Sequence, residues 1–311
     1  MGSKVNREAG RRGEIDSRAK RARHSSSASP HLHVKLSSPR AAKRITPKID
    51  FELELGGLFD LAGKTAFLPG GYGGLGEAIA WGLAQRGAKV AVAGRDRAKA
   101  AALATSLKAA GHEALGLALD ATSVADIRRT VDNVVTAFGA IDILVNCVGT
   151  QIEERITDVT EAAFDRVYAV NLKSAMFLAQ AVAKAQIAAG RGGKQLHLLS
   201  VRAQLALRDR GYSAYASTKG GLVMLIKQHA MELAPHRITV NGIAPTFVHT
   251  EMIRHVMENP KFRRALHGRI PLGRIANPKD VVGAALFFSA PASDFITGQI
   301  LYVDGGITAS Q

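Results

Sequence analysis

The 311-residue chain has a single cysteine, Cys147, so it can form no internal disulfide and no cysteine-rich zinc site. It has no stretch approaching the ~18 consecutive uncharged apolar residues that a membrane-spanning helix requires. Residues 1–50 hold no Phe, Tyr or Trp and no apolar h-region. That argues against a secretory signal and leaves nothing to stack on a nucleic-acid base. The expectation is a reducing compartment, the cytoplasm, with neither membrane nor nucleic acid as a partner.

The net charge is +15, and it is unevenly placed. Residues 1–50 carry 13 Lys or Arg against 4 Asp or Glu, and residues 51–311 carry 28 against 22. Arg11 to Ser38 contains a triple serine, one proline and no helical or alternating apolar period, so it cannot bury enough surface to offset the entropy of ordering. Residues 1–56 are therefore expected to be a disordered basic extension, with a single folded domain over residues 57–311. An organelle transit peptide shares the Arg and Ser content, but Glu8, Glu14 and Asp16 oppose it. A nucleic-acid tether remains the alternative to a simple solvated extension.

From Leu58 onward, short β-rich runs alternate with longer helical stretches. Lys64–Leu68, Lys89–Ala93, Ala114–Leu119, Ile141–Asn146, Gln195–Ser200, Arg237–Ile243 and Gln299–Val303 read as strands. Apolar strands in such alternation predict an α/β fold: one doubly wound Rossmann domain, its seven-stranded parallel sheet covered by helices on both faces.

The first strand runs into Pro69-Gly70-Gly71-Tyr72-Gly73-Gly74-Leu75-Gly76 and then into the helical stretch Glu77–Gln85. Strand, glycine turn and helix in this order allow backbone N–H groups to approach a pyrophosphate, which a Cβ would obstruct. A second signal is Tyr215-Ala216-Ser217-Thr218-Lys219 within the helical stretch Ser213–Leu233. Four-residue spacing places phenol and ammonium on one face, and a cation at ~4–6 Å lowers the phenol's pKa by ~1–3 units. Tyr215 is thereby expected to transfer a proton near neutral pH.

Taken together, the chain resembles the short-chain dehydrogenase/reductase family from about Leu58 to Gly306. The resemblance rests on Gly70, Gly74 and Gly76 in the turn, Asp120 after the third strand and Asn146-Cys147-Val148-Gly149 after the fourth. Asn171 in a helix, Ser200 after the fifth strand, and Tyr215 with Lys219 complete it in the family's order. It implies Tyr215 as proton donor or acceptor, Ser200 as the hydrogen-bond partner of the substrate oxygen, and Lys219 on the nicotinamide ribose. Asn171 would position a water linking Lys219 to solvent. Gly70, Tyr72, Gly74, Leu75, Gly76, Arg95, Asp120, Asn146, Gly149, Tyr215, Lys219 and Pro245 would bind the cofactor, and the family is commonly tetrameric.

The second strand leads into Arg95, where an acidic residue would select NAD. A guanidinium there suits a 2′-phosphate, so NADP(H) is expected over NAD(H). The chain departs from the family at Pro69, Cys147, Val148 and Thr246, and the fifteen-residue interval from Ser200 to Tyr215 is two longer than the commonest one. Glu251–Arg274 reads as a variable lid whose Arg254, His255, Lys261, Arg263, Arg264, His267 and Arg269 suit an anionic substrate.

Val201-Arg202-Ala203, Gly211 to Tyr215 and Ile270 to Arg274 look most like the gluconate 5-dehydrogenase branch. The expected activity is interconversion of a secondary alcohol and a ketone, here on a small sugar acid. A 3-oxoacyl-carrier-protein reductase is the enzymatic alternative, and a nucleotide-sensing regulator with a nucleic-acid-binding tail is the alternative of another class.

Overall fold

The structure is a computed structural model that describes residues 55–251 and 258–309. The expected disorder of the basic extension, and the lid residues Arg254 and His255, lie outside the described residues. The sheet comprises β1 (Thr65–Pro69), β2 (Lys89–Gly94), β3 (Ala114–Ala118), β4 (Ile143–Asn146), β5 (Gly193–Leu198), β6 (Ile238–Pro245) and β7 (Ile300–Val303). All seven are parallel, in the order β3-β2-β1-β4-β5-β6-β7. Between them run α1 (Leu75–Gln85), α2 (Arg97–Ala109), α3 (Val124–Phe138), α4 (Glu161–Tyr168), α5 (Ser174–Ala189), α6 (Ser213–Leu233), α7 (Pro260–Arg269) and α8 (Pro278–Ser289).

The doubly wound expectation holds because the strands are apolar on both faces and must be covered on both. In β1 every residue is buried. Leu68 joins Ile79 and Leu83 of α1 and Val281 and Phe288 of α8 on one side of the sheet. Phe67, one residue earlier, joins Ile127 and Val131 of α3 and Leu178 and Val182 of α5 on the other. Burial of each such side chain is worth ~1.5–3 kcal/mol. A third cluster seats Leu222 and Ile226 of α6 against Val240 of β6.

Winding reverses between β1 and β4, and at such a switch point the loops beyond the strand ends diverge and open a crevice. Several elements differ by one or two residues from their expected bounds. β4 begins at Ile143 rather than Ile141, because Asp142 turns its carboxylate to Thr65 N (2.9 Å) and Arg191 Nη2 (2.8 Å) at the sheet's lower edge. β5 ends at Leu198 rather than Ser200, which instead caps a 3-10 turn over Val201–Ala203. Asn171 lies in a π turn, Ala169–Lys173, that joins α4 to α5.

Candidate active site

The turn after β1 is shaped by contacts that only glycine tolerates. Gly70 donates its N–H to Ala93 O (2.7 Å) and has φ +74°; a Cβ there would lie 2.8 Å from the backbone of Cys147 and Val148. A Cβ on Gly76 would lie 2.7 Å from Gly71 Cα. The helix that follows opens at Gly74 without a side-chain cap, whereas Asp96, Ser123 and Thr160 cap α2, α3 and α4. The N-terminal N–H groups and the positive dipole end of α1 thus face a cleft of about 490 Å³, as an anion site requires.

Tyr72, also in the turn, reaches across to the end of β2. Its hydroxyl accepts from Asp96 N (3.2 Å), and its ring lies so close to Gly94 that a Cβ there would overlap it. Asp96 accepts from Lys99 N (3.1 Å) as the cap of α2, while exposed Arg95 lines the cleft. Asp120 accepts from Thr122 N (3.0 Å) and Thr122 Oγ1 (2.7 Å), bonds that hold its carboxyl below the usual range. Asn146 is buried; its Oδ1 accepts from Val148 N (3.0 Å), shaping the chain toward Gly149.

At the inner end of the cleft, α6 presents Tyr215 and Lys219 on one face. Lys219 is buried, donates to Leu198 O (2.7 Å) and lies 5.7 Å from the centroid of the Tyr215 ring. Burial pulls its ammonium down to about 8. Contrary to expectation, the Tyr215 phenol is shifted upward: burial raises it, and the hydrogen bond from Ser200 only partly offsets this. The physical reason is loss of water around the phenol, which outweighs the lowering by the Ser200 hydrogen bond and the Arg202 charge.

Asn171 clamps the neighbouring chain. Its Nδ2 donates to Thr150 O (2.9 Å) and Thr218 Oγ1 (3.1 Å), and its Oδ1 accepts from Thr150 N (2.8 Å). The π turn supplies the extra residue that brings this amide to Thr150. A Cβ at Gly149 would stand 3.9 Å from Lys219 Nζ. Pro245 lines the far wall at the end of β6, and the next residue, Thr246, holds a buried Oγ1 with no hydrogen-bond partner among the described residues.

Residues 71–308 match the family described as enoyl-(acyl carrier protein) reductase. The chain is 34% identical over 250 residues to the 5-keto-D-gluconate 5-reductase of Escherichia coli, covering 80% of this chain and 97% of that one. A crystal structure of a gluconate 5-dehydrogenase from Burkholderia cenocepacia in complex with NADP and tartrate superimposes with TM-score 0.79 at 36% identity. That match covers 82% of this chain and 99% of the other. A short-chain type dehydrogenase/reductase from Mycobacterium marinum gives TM-score 0.78 at 32% identity over 81% and 98%. The chain belongs to the short-chain dehydrogenase/reductase family. It is an oxidoreductase that interconverts an alcohol and a ketone with a nicotinamide cofactor. The glycine cradle, the uncapped α1 terminus and the orphaned Thr246 hydroxyl fit such a dinucleotide.

Within this short-chain dehydrogenase/reductase the expected lid charges on α7 do not line the cleft. Lys261, Arg263, Arg264 and Arg269 are exposed on α7, and none of them, nor His267, lines the cleft. The cause is amphipathic: α7 turns Leu266 inward against Ile270, Ile275 and Ile307, which points its polar face outward. The cleft instead contains Arg202, which was not expected as a site residue. Its side chain is 6% exposed, and the clue in the sequence is only that a basic residue stands two positions after the strand-end serine. Thr150 and Thr218, the partners of Asn171, were likewise not singled out. Cys147 offers no redox chemistry of its own at neutral pH, because burial pushes its thiol up to about 12.

Proposed function

We propose that the protein is an NADP(H)-preferring enzyme that interconverts a small hydroxy sugar acid, such as gluconate, with its keto form. The observation that carries the reaction is the convergence of Ser200, Tyr215 and Lys219 at the inner end of the glycine-walled cleft. The substrate class is supported by the names of the E. coli and B. cenocepacia relatives and by the tartrate in the latter's crystal structure.

A bound nicotinamide supplies the hydride, or takes it up in oxidation. Ser200 donates a hydrogen bond to the substrate oxygen, aligning it and stabilising the charge that develops there. Tyr215 delivers its phenolic proton to that oxygen during reduction, and as phenolate removes it during oxidation. Lys219 would hold the ribose hydroxyls, and its charge would favour the phenolate. Asn171 holds Thr150 and Gly149 in place beside Lys219, a positioning role. Asp120 and Pro245 would contribute to the cofactor wall directly, and Asn146 through its hold on Val148 N.

The preference for NADP(H) follows from the end of β2. Asp96 is spent as a helix cap, while Arg95 stands exposed on the cleft, free to pair with a 2′-phosphate. Arg95→Ala should lower kcat/KM for NADP(H) by roughly tenfold or more and abolish the discrimination against NAD(H), since a charge-assisted hydrogen bond is worth ~1.5–3 kcal/mol. Comparing both cofactors in wild type and variant checks this. A wild-type preference for NAD(H) that the substitution leaves unchanged would overturn it.

A second reading, a 3-oxoacyl-carrier-protein reductase, is favoured by one observation: exposed Lys261, Arg263 and Arg264 on α7 offer a basic surface to an acidic carrier. The deciding measurement is kcat/KM for 5-ketogluconate against an acetoacetyl thioester; preference for the thioester would replace the sugar-acid reading. The exposed Met176 of α5 and Met224 and Met231 of α6 support a homo-oligomer, with four subunits expected in light scattering. We place the enzyme in the cytoplasm, and read residues 1–56 as dispensable for catalysis: their deletion should leave Tm and kcat essentially unchanged. A large fall in either would show that they pack onto the domain.

A further inference from the structure

Arg202 lies within the 3-10 turn that Ser200 caps, and its backbone N–H donates to Ser200 Oγ (3.2 Å). The guanidinium is carried into the interior beside Tyr212 and Tyr215, both of which line the cleft. Its Nη1 donates to two uncharged groups, Leu205 O (3.1 Å) and Ala206 O (2.8 Å). Among the described residues no carboxylate pairs with it. Glu153, which does not line the cleft, is taken by Arg210, and Asp120, which does, is held by Thr122.

A guanidinium removed from water normally meets an anion, because burying an uncompensated cation is costly. Here the environment makes that cost larger. Burial draws Arg202 toward its neutral form, and Arg269, at the end of α7, adds like-charge repulsion. A scaffold serving only to hold the loop carbonyls would need no charge at this position. An anion entering the cleft would relieve both burdens, and Arg offers the planar fork that matches a carboxylate.

We infer that Arg202 is the residue that recognises the carboxylate of the substrate, and so sets the preference for sugar acids over neutral polyols. The inference rests on the sugar-acid reading above. The substrate's reacting oxygen lies at Ser200 and Tyr215, and its carboxylate, a few bonds away, reaches the guanidinium that the same turn supports. Orientation follows from the chemistry: one end is fixed by the proton-transfer pair and the other by the fork, so a single carbon is presented for hydride transfer.

Gluconate and glucitol provide the test, because they share a carbon skeleton and differ at C1 in carboxylate against hydroxymethyl. Oxidation of both is measured at saturating NADP with wild type, Arg202→Gln and Arg202→Lys. Wild type should favour gluconate. Arg202→Gln should lose roughly 10- to 100-fold in kcat/KM for gluconate, mainly through KM, as removal of a charge-assisted hydrogen bond predicts. Its kcat/KM for glucitol should fall much less, and an unchanged Tm reports an intact fold. Arg202→Lys, which keeps the charge but not the fork, should fall between.

Equal losses on both substrates in the two variants would mean that Arg202 serves the loop alone, overturning the inference while the sugar-acid reading stands. A wild type that prefers glucitol would remove both.

Discussion

Replacing Tyr215 by Phe should lower kcat by ~10²–10⁴ while leaving the dissociation constant for the nicotinamide cofactor nearly unchanged. The substitution removes one oxygen from a half-buried ring and leaves its packing, so neither the helix nor the glycine wall is disturbed. Turnover near the wild-type rate would remove Tyr215 from the proposed chemistry. The pH dependence gives a second reading of the same group. Burial raises the phenol's pKa, and oxidation needs the phenolate, so oxidation should accelerate as pH rises toward that value. Reduction needs the protonated phenol and should hold at neutral pH, then fall in the same alkaline range. Profiles rising or falling together in both directions would point to a different titrating group.

Gly70→Ala should combine backbone strain with a collision against main chain at the wall of the cleft. Left-handed backbone at φ +74° costs a non-glycine residue ~1–2 kcal/mol. Its Cβ would also press on the peptide joining Cys147 to Val148 at 2.8 Å, where no side chain can rotate aside. The end of β4 would have to move, carrying Gly149 away from Lys219 and displacing the cofactor wall. A fall of a few degrees in Tm should accompany a loss on the order of 10²-fold in kcat/KM for the cofactor. Calorimetry and cofactor titration check the two parts, and an alanine variant with wild-type cofactor kinetics would show that the turn yields more than its contacts suggest.

The parallel sheet was legible because runs such as Thr65–Pro69 and Lys89–Gly94 are apolar on both faces, a pattern that has few other uses. The glycine turn and the Tyr215–Lys219 pair were legible because their spacing has geometric meaning by itself. The π turn at Ala169–Lys173 was not: its residues are ordinary helix formers, and one surplus residue in a helical stretch leaves no trace in composition. Arg202 was hidden for a related reason, since arginine is rarely buried and sequence alone expects it in water. The lid illustrates the converse. Seven basic side chains suggested a charged cleft, but for the five of them on α7 it is Leu266 that decides which side turns inward. The upward shift of Tyr215 was also out of reach, because linear spacing reports a neighbouring cation but not how much water is excluded.

The ring of Tyr72 occupies the space that any side chain on Gly94 would need, while its hydroxyl accepts from Asp96 N. These two positions, far apart in the chain, therefore form one volume filled from one side only. A side chain on Gly94 becomes admissible only after Tyr72 has become small, and a small residue at 72 leaves a gap that only a larger residue at 94 can fill. Each single step passes through a collision or a void, so variation at this edge of the cofactor wall is epistatic. Single-site scans would score both positions as intolerant, although the pair can be exchanged together.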